Sequence, residues 1–532
     1  MYHLFIKSAS VIDGSGKPAY TADVAVKDGR IILSPDSSLG AEEIIDGTGL
    51  TLAPGFIDAH SHSDMLLGDE ACALSRVSQG ITTECTGQCG ESMFPVSEDP
   101  EKRDMFASCT ASYLKASPYY KDAFSSFTSM EQFVKHIQTV PQATNYTLMT
   151  GHRSLRVAAM GFDARKPTAK ELDHMKAMLR EAMEHGSKGL STGLIYSPSC
   201  YADEEELTEL CKVVAEYDGI YATHLRNEAA GLEDSVREAI RIAEKAGCRL
   251  DLSHHKVCGK DNWGTSERTL KMIDAAHARG VRIALDVYPY TATGTYLNIC
   301  LPKEFFANGP EKMQELLKDP TVRTQLTAQI KEIDGRYRHC GGFENIIIIN
   351  APQNPEAKGM SISDYARSLG RDEFDVYYDL LCANGYGAMA AYFSMCEEDL
   401  KRILLHPKSF LGTDICGIIK DTPCHPRAFG SFTTCLGKFV REEKFMPLET
   451  MIHKMTQSPA EFLQIKNKGL IAEGYDADLV LFDPDTVNAQ ASFTDSHALS
   501  EGIRYVIVSG EIVYQNKQLT GKFPGKFLPH QR

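Results

Sequence analysis

Short apolar runs and amphipathic stretches alternate through the middle of this chain, and this alternation constrains its fold most. Eight runs are rich in β-branched residues: ITTECTG (81–87), NYTLMTG (145–151), KGLSTGL (188–194), GIYATHL (219–225), RLDLSHH (249–255), RIALDVYPY (282–290), NIIIINAP (345–352) and KSFLGTD (408–414). Helical patterns such as EELTELCKVVAEYDG (205–219) and LEDSVREAIRIAEKAGC (232–248) lie between them. Strand–helix repeats build parallel sheets, and about eight repeats predict an α/β fold with a closed (β/α)₈ barrel of TIM type. LAPGFIDAHSH (52–62) makes nine candidates, so we expect one to be an accessory strand or no strand.

The two ends of the chain have a different pattern, with short β-rich runs broken by Asp-Gly and Gly-Ser turns. We expect residues 1–54 and 468–532 to pair into one small β-sandwich, although two separate hairpin modules would have the same pattern. Residues 55–467 would then form the catalytic barrel. The helical, charged stretch 301–345 is typical of an elaborated loop around a barrel.

Composition excludes several classes of partner. Asp and Glu number 71 against 56 Lys and Arg, and no basic tract is present, so we expect no nucleic-acid binding. No apolar stretch approaches the ~18–20 residues that span a bilayer, and the start of the chain lacks a signal-peptide pattern. The 15 cysteines form no recurring CxxC pairs. They are expected to be reduced thiols, which favours a cytoplasmic protein.

Metal-ligand side chains recur at the ends of the predicted strands. Residues two apart on a strand point the same way, so His60 and His62 share one face. Active groups of such barrels lie at the carboxyl ends of the strands. Six candidate ligands occupy these positions: His60, His62, Cys89, His224, His254 and Asp414. Packing alone does not explain six such residues, so the pattern predicts a metal site.

The motifs around these residues resemble the amidohydrolase superfamily, and within it the N-acyl-D-amino-acid deacylase (D-aminoacylase) family. They are PGFIDAHSHSD, QGITTECTGQCG, GLSTGLIYSPSCYA, THLRNE, SHHKVCG, DVYPYTA, the GTD and HPR pair, and GLIAEGYDADLVLFDP, which span nearly the whole chain. The resemblance implies a zinc-dependent hydrolase that releases a free D-amino acid from an N-acyl-D-amino acid. It implies one tight Zn²⁺ site at Cys89, His224 and His254, and a second, weakly occupied position at His60, His62 and Asp414.

The chemistry of these residues agrees with that implication. One thiolate and two imidazoles suit Zn²⁺ and leave a coordination position open for water. Asp414 is then the candidate to accept the proton of that water and return it to the leaving amine.

The expected substrate is a small molecule with a free carboxylate, and three residues are candidates to bind it. Lys256 shares the face of His254 and supplies a point charge. Tyr288 resembles a family position that donates its phenol to the carboxylate, and Arg427 could form a bidentate clamp. Arg226 is a further candidate, although a salt bridge at the barrel rim explains it equally well. The bulky segment ICGIIKDTPCHPR after Asp414 is expected to shape the substrate pocket.

Other functions remain open from the residues alone. A hydantoinase-like or dihydroorotase-like hydrolase of cyclic amides usually bridges two metals with a carboxylated lysine, but Lys188 lies near the start of its strand. A dipeptidase acting on a C-terminal D-residue would use the same chemistry as a deacylase. A cysteine nucleophile at Cys89, with His224 or His254 as base, would resist chelation. A non-catalytic scaffold is not expected, because such proteins generally lose ligands that this chain retains.

Overall fold

The computed structural model describes residues 1–306 and 309–531. Residues 307 and 308, which belong to the predicted loop region 301–345, and residue 532 of the predicted segment 468–532 lie outside the described part. Within that part, no helix has both the length and the apolar character needed to cross a membrane.

The described chain contains strands and α-helices in the following order. The strands are β1 (Tyr2–Val11), β2 (Tyr20–Lys27), β3 (Arg30–Leu33), β4 (Ala41–Asp46), β5 (Thr51–Pro54), β6 (Phe56–Asp58), β7 (Ile81–Thr86), β8 (Asn145–Leu148), β9 (Thr150–Gly151), β10 (Gly189–Gly193), β11 (Ile220–His224), β12 (Arg249–Leu252), β13 (Ile283–Val287), β14 (Ala292–Tyr296), β15 (Ile346–Asn350), β16 (Met389–Phe393), β17 (Ser409–Leu411), β18 (Leu479–Phe482), β19 (Ile503–Val508), β20 (Glu511–Gln515) and β21 (Gln518–Leu519). The helices are α1 (Glu70–Val77), α2 (Pro100–Ala116), α3 (Met130–Ile137), α4 (His152–Met160), α5 (Ala169–Glu184), α6 (Glu204–Glu216), α7 (Leu232–Ala246), α8 (Ser266–Ala278), α9 (Gly309–Leu316), α10 (Pro320–Glu332), α11 (Arg336–His339), α12 (Ile362–Leu369), α13 (Glu373–Asn384), α14 (Glu397–Leu405), α15 (Arg427–Thr434), α16 (Leu448–Met455) and α17 (Gln457–Phe462).

One nine-stranded sheet joins the two ends of the chain. Its order is β21-β20-β19-β18-β5-β1-β2-β3, and β4 pairs with β1. The ends meet where β18 pairs antiparallel with β5, with Leu479 opposite Pro54. Apolar side chains from both ends share one buried cluster, which includes Ile6 and Leu481. The two ends of the chain therefore pair into one sheet.

Parallel strands connected by helices form the middle of the chain. One parallel sheet has the order β6-β7-β8, and a second has the order β17-β13-β12-β11-β10-β9. Only Met149 separates β8 from β9, and the Met149 amide donates to the carbonyl of Thr86 (2.8 Å). At the other side, the Ala59 amide donates to the carbonyl of Leu411 (3.1 Å), which links β6 to β17. Eight parallel strand segments therefore follow one another around a ring.

The inside of the ring is filled with side chains. One buried cluster combines inward-facing residues of several strands, among them Ile57, Cys85, Ile220, Ala222, Ala284 and Phe410. The outer helices α5 to α8 pack their apolar faces against the other side of the strands. The strand ends, and not the interior, therefore remain available for a functional site.

The ninth predicted strand lies outside the ring. Residues 345–352 contain β15, which pairs antiparallel with β16 in a three-stranded sheet with β14. This sheet and the helices α9 to α13 form an insertion between β13 and β17. The predicted loop region 301–345 is helical and belongs to this insertion, which extends beyond it on both sides.

Candidate metal and substrate site

The six candidate ligands lie at the carboxyl ends of their strands. His224 is the last residue of β11, and His60 and His254 follow β6 and β12 by two residues. Cys89 and Asp414 lie three residues after β7 and β17. Because these strands are parallel neighbours, their carboxyl ends meet at one rim of the ring.

Three of these residues have a strained backbone. φ is 51° at Cys89, 35° at His254 and 51° at Asp414, in the left-handed region that non-glycine residues rarely adopt. Gly412 allows β17 to approach closely, since a Cβ there would lie 2.5 Å from the Cβ of His60. Such strain is found at functional sites, where the surrounding structure compensates for it.

Cys89 Sγ lies at the centre of the cluster. It is 3.2 Å from His254 Nε2, 3.4 Å from His60 Nε2 and 3.7 Å from His224 Nδ1. One ligand atom each from His60, Cys89, His254 and Asp414 all lie within 4.8 Å of one another. Three imidazoles and one carboxylate therefore surround a single sulfur atom.

The other two predicted ligands each contact one member of this group. His224 reaches Cys89, and His62 Nε2 lies 3.2 Å from Asp414 Oδ1. Asp414 Oδ1 is also 3.5 Å from His60 Nε2. The structure thus brings all six predicted ligands together, and Cys89 contacts histidines of both predicted metal positions.

These distances match a set of ligands around one metal ion. Tetrahedral zinc, with bonds of about 2.3 Å to sulfur and about 2.0–2.1 Å to nitrogen, would place the two ligand atoms about 3.6 Å apart. The three sulfur–nitrogen distances, 3.2–3.7 Å, are close to this value. The residues present therefore fit a zinc ion.

The protonation states also fit a metal site. Burial lowers the pKa of His60 to about 3, and burial lowers the pKa of His224 and His254 as well. All three imidazoles are therefore neutral, which is the form that binds a metal. Burial raises the pKa of Cys89 well above its usual value, and a bound dication would reverse this because a coordinating thiol is deprotonated.

Asp286 was not predicted from the sequence, although it orients one ligand. Its Oδ2 lies 2.9 Å from His60 Nδ1, so that Nε2 of the same ring faces Cys89. A carboxylate on the outer nitrogen of a ligating histidine is a common arrangement around metals. The signal was available, because Asp286 begins the DVYPYTA motif, two residues before Tyr288.

The three predicted carboxylate-binding residues lie together beside the ligands. Lys256 Nζ is 5.7 Å from the centre of the Tyr288 ring, and Arg427 Cζ is 5.0 Å from it. The Tyr288 hydroxyl is buried and has no hydrogen-bond partner among residues 1–306 and 309–531. A free phenol between two cations is suited to an anionic group of a substrate.

Each of these cations also contacts an acid. Arg427 Nη1 lies 2.7 Å from Asp414 Oδ2, and Lys256 Nζ lies 2.5 Å from Glu228 Oε1. Glu228 was missed by the sequence analysis, as was Arg336, which forms an ion pair with it (2.6 Å). Glu228 stood within the THLRNE motif, four residues after His224. The sequence did not indicate a role for Arg336, because it is one of several charged residues in the helical insertion.

The candidate Arg226, Lys188 and two buried histidines near the rim have their side-chain partners outside the ligand cluster. Arg226 pairs with Glu238 (2.9 Å) and donates to two backbone carbonyls, which supports the salt-bridge interpretation. His152 is buried between Ser199 and Glu206, and His255 contacts Thr269 on α8. Lys188 Nζ donates to the Gln464 carbonyl near the start of β10, far from the position of a bridging lysine.

Two cavities open at this rim. A small one of about 40 Å³ has Cys89, His62, His224 and Asp414 in its wall, and is large enough for one or two water molecules. A larger one of about 480 Å³ adjoins it. Five residues line both cavities: Gly294, Tyr296, Met389, Cys416 and Arg427. The segment after Asp414 provides much of the larger wall, including Ile415 and Ile418, as expected for a segment that shapes the pocket.

Comparisons with known proteins agree with this geometry. The sequence profile of the amidohydrolase family matches residues 43–332 and 368–514. The chain is 35% identical to N-acyl-D-aspartate deacylase of Alcaligenes xylosoxydans xylosoxydans over 527 residues, which is 98% of this chain and 94% of that protein.

Two solved structures are similar over their full length. One is N-acyl-D-glutamate deacylase from Bordetella bronchiseptica, complexed with zinc and a phosphonate inhibitor that mimics the tetrahedral intermediate. It is 33% identical with a TM-score of 0.82, covering 99% of each chain. The other is D-aminoacylase, a protein with a binuclear metal centre that shows one-metal activation and second-metal attenuation. It is 31% identical with a TM-score of 0.81, covering 99% of this chain and 100% of that chain.

Proposed function

The chain belongs to the amidohydrolase family, and on this premise we propose that it is a metal-dependent deacylase of N-acyl-D-amino acids. It hydrolyses the linear amide bond and releases a carboxylate and a free D-amino acid. The convergence of Cys89, three histidines and Asp414 beside a group of carboxylate-binding residues carries this conclusion. The relatives named above act on substrates of this class.

The metal is proposed to be Zn²⁺, because a thiolate with neutral imidazoles is a soft ligand set. Cys89, His224 and His254 would hold the tight ion, and His60, His62 and Asp414 would hold a second, weaker one. When bound, the metal supplies an activated water and polarises the scissile carbonyl.

Asp414 carries the proton in this mechanism. Burial alone would raise its pKa, but Arg427 and the nearby histidines hold the pKa of this carboxyl well below its usual range. It is therefore ionised and can take a proton from the attacking water. When the carbon–nitrogen bond breaks, it returns that proton to the leaving amine. Atoms balance: the water oxygen stays on the acyl carbon, one water proton reaches the amine nitrogen through Asp414, and the product carboxyl group loses the other to solvent.

Lys256, Tyr288 and Arg427 position the substrate. Its carboxylate is proposed to accept a hydrogen bond from the free Tyr288 hydroxyl and to lie near the two cations. This places the amino-acid portion beside Arg427, which lines both cavities. Tyr288 remains a neutral donor, because burial raises its pKa well above the usual value.

The ring of eight parallel strands is interpreted as a (β/α)₈ barrel of TIM type. We propose the domain division 55–467 for this barrel, and 1–54 with 468–532 for a β-sandwich that contains the nine-stranded sheet. The 301–345 region is then part of an elaborated barrel loop.

A substrate panel tests the proposed activity. Purified, zinc-loaded protein is assayed for amine release from N-acetyl-D- and N-acetyl-L-amino acids, from dipeptides with a C-terminal D-residue, and for ring opening of hydantoins and dihydroorotate. We expect release from the N-acetyl-D-amino acids. Cleavage confined to dipeptides or to cyclic amides would contradict the proposal.

Chelation distinguishes the metal enzyme from a cysteine nucleophile. Treatment with a chelator should abolish amine release, and added Zn²⁺ should restore it. Activity that survives complete metal removal, measured by elemental analysis of the same sample, would favour a thiol mechanism at Cys89.

A further inference from the structure

Glu228 connects four residues of the site. Its side chain is 3% exposed and lies after β11 in the wall of the small cavity. Oε1 is 2.5 Å from Lys256 Nζ, 3.5 Å from His224 Nε2 and 3.6 Å from His254 Nδ1. Oε2 accepts from Arg336 Nη2 at 2.6 Å. One buried carboxylate thus faces two cations and two of the candidate metal ligands.

The two histidine nitrogens that face Glu228 are the outer ones. His224 directs Nδ1 and His254 directs Nε2 to Cys89. His224 Nε2 has no hydrogen-bond partner within the described ranges. A neutral histidine that binds a metal through one nitrogen carries its proton on the other, and usually donates it to a carboxylate or carbonyl.

Three donors face Glu228. The Lys256 ammonium, the Arg336 guanidinium and the Nε2–H of His224 converge on its two oxygens, and only an acceptor-only group satisfies them. His254 Nδ1 instead lies 2.6 Å from Lys256 Nζ, so Glu228 reaches His254 through the Lys256 ammonium. A shift of about 0.5 Å would bring His224 Nε2 within hydrogen-bond distance of Oε1.

A metal ion bound by Glu228 itself is a second interpretation of this geometry. One ligand atom each from His224, Glu228 and His254 lie within 4.8 Å of one another. However, Lys256 Nζ is 2.5 Å from Glu228 Oε1 and 2.6 Å from His254 Nδ1. The ammonium occupies the place that a second cation would need, so charge repulsion disfavours a metal there.

Arg336 extends this arrangement to the insertion. It is the first residue of α11, and its guanidinium also contacts Cys258 Sγ at 3.0 Å. Glu228 therefore ties the insertion to the ends of β11 and β12, where His224 and His254 stand.

We propose that Glu228 is a positioning residue: its carboxylate orients His224 through the outer nitrogen Nε2 and holds Lys256 against His254, and Arg336 holds that carboxylate in place. The proposal rests on the metal site of the proposed function. It does not make Glu228 a ligand or a proton carrier.

The test measures metal binding as well as turnover. Zinc affinity of the metal-free full-length protein is determined by competition with a chelating dye for wild type, Glu228→Gln, Arg336→Met and the control Glu238→Gln. The control removes the carboxylate paired with Arg226, which lies two residues after His224, and Glu238 contacts no candidate ligand. We expect Glu228→Gln to bind zinc about 10–100-fold more weakly, because the glutamine amide presents NH₂ to donors. Arg336→Met should weaken binding about 3–10-fold, and the control should stay within about threefold.

The visible spectrum of the Co²⁺-substituted protein gives a readout that a merely structural role would not change. Ligand geometry determines this spectrum, so it should shift in Glu228→Gln and stay unchanged in the control. If Glu228→Gln fails to fold, Arg336→Met carries the same test. Zinc affinity and cobalt spectra equal to wild type in the folded variants would overturn the proposal. Loss of one whole equivalent of metal from Glu228→Gln would overturn it too, since that result marks a direct ligand. A wild type that binds zinc without releasing amine would instead contradict the proposed function.

Discussion

Replacing Asp414 by asparagine is the sharpest test of the proposed chemistry, because it keeps the shape of the side chain and removes its charge. In the structure, Asp414 Oδ1 lies 3.2 Å from His62 Nε2, and Oδ2 lies 2.7 Å from Arg427 Nη1. Asparagine cannot accept and return a proton at the pH of the assay. Cys89, His224 and His254 remain to hold the tight zinc ion.

Two separate effects follow, one on catalysis and one on stability. Loss of a positioned proton carrier should reduce kcat about 10²–10⁴-fold, which is about 3–5 kcal/mol of transition-state stabilisation. Loss of the charge partner of the buried Arg427 should lower the free energy of unfolding by about 3–5 kcal/mol. Activity and stability must therefore be measured separately.

Glu206→Gln separates these effects. Glu206 is also a buried carboxylate, lies 2.6 Å from Arg156 and 2.9 Å from His152, and does not line the metal cavity. Both variants should lose stability in urea unfolding, but only Asp414→Asn should lose amine release from N-acetyl-D-amino acids. Bound zinc is measured for each sample. An Asp414→Asn variant that retains zinc and a near wild-type kcat would refute the assignment of Asp414 as the proton carrier.

Three further outcomes are expected. Lys256→Met should raise KM for an N-acetyl-D-amino acid about 10–100-fold, because a charge-assisted hydrogen bond to the substrate carboxylate is lost. KM for the same compound amidated at its carboxylate should change little, and equal effects on both compounds would contradict carboxylate binding by Lys256. Met389 lies at the junction of the two cavities, and Met389→Phe would narrow it. The variant should reduce kcat/KM about 10–100-fold for N-acetyl-D-phenylalanine and much less for N-acetyl-D-alanine. A uniform loss would show that the larger cavity does not receive the substrate side chain. Burial lowers the pKa of Lys454 to about 8, so between this value and its unfolded pKa near 10.5 the unfolded chain binds more protons and stability should rise with pH. Between pH 7 and pH 10, the free energy of unfolding measured in urea should rise by about 2–3 kcal/mol more for wild type than for Lys454→Met, and identical pH profiles would contradict it.

The parts of the fold that were predictable depend on local patterns. β-branched runs with amphipathic stretches between them mark the parallel strands, and alternation predicts that His60 and His62 share a face. The pattern could not assign β15, because a short apolar run has the same composition in a parallel ring and in a separate antiparallel sheet. Only the pairing of β15 with β16 decides between them.

The site was predictable to the extent that its residues stand at strand ends. Cys89, His224 and Asp414 could be placed at one rim, since parallel strands bring their carboxyl ends together. Glu228 and Arg336 could not, because their function depends on a contact across 108 residues between a loop and an insertion. Hydrophobic periodicity in the sequence does not predict a contact of this kind.

The energetic origin of the site lies in the strands and not in the ligands themselves. A left-handed backbone at Cys89, His254 and Asp414 costs roughly 1–3 kcal/mol for each residue, so something else must hold these positions. Backbone hydrogen bonds between neighbouring strand ends hold these positions. The Asp414 amide donates to the His60 carbonyl (2.8 Å), and the His255 amide donates to the Asp286 carbonyl (2.9 Å). Each bond joins segments that the filled interior of the ring already holds in register. Folding of the hydrophobic core therefore compensates for the strain, and the strain in turn aims a sulfur, the imidazole nitrogens and a carboxylate at one point before any substrate arrives.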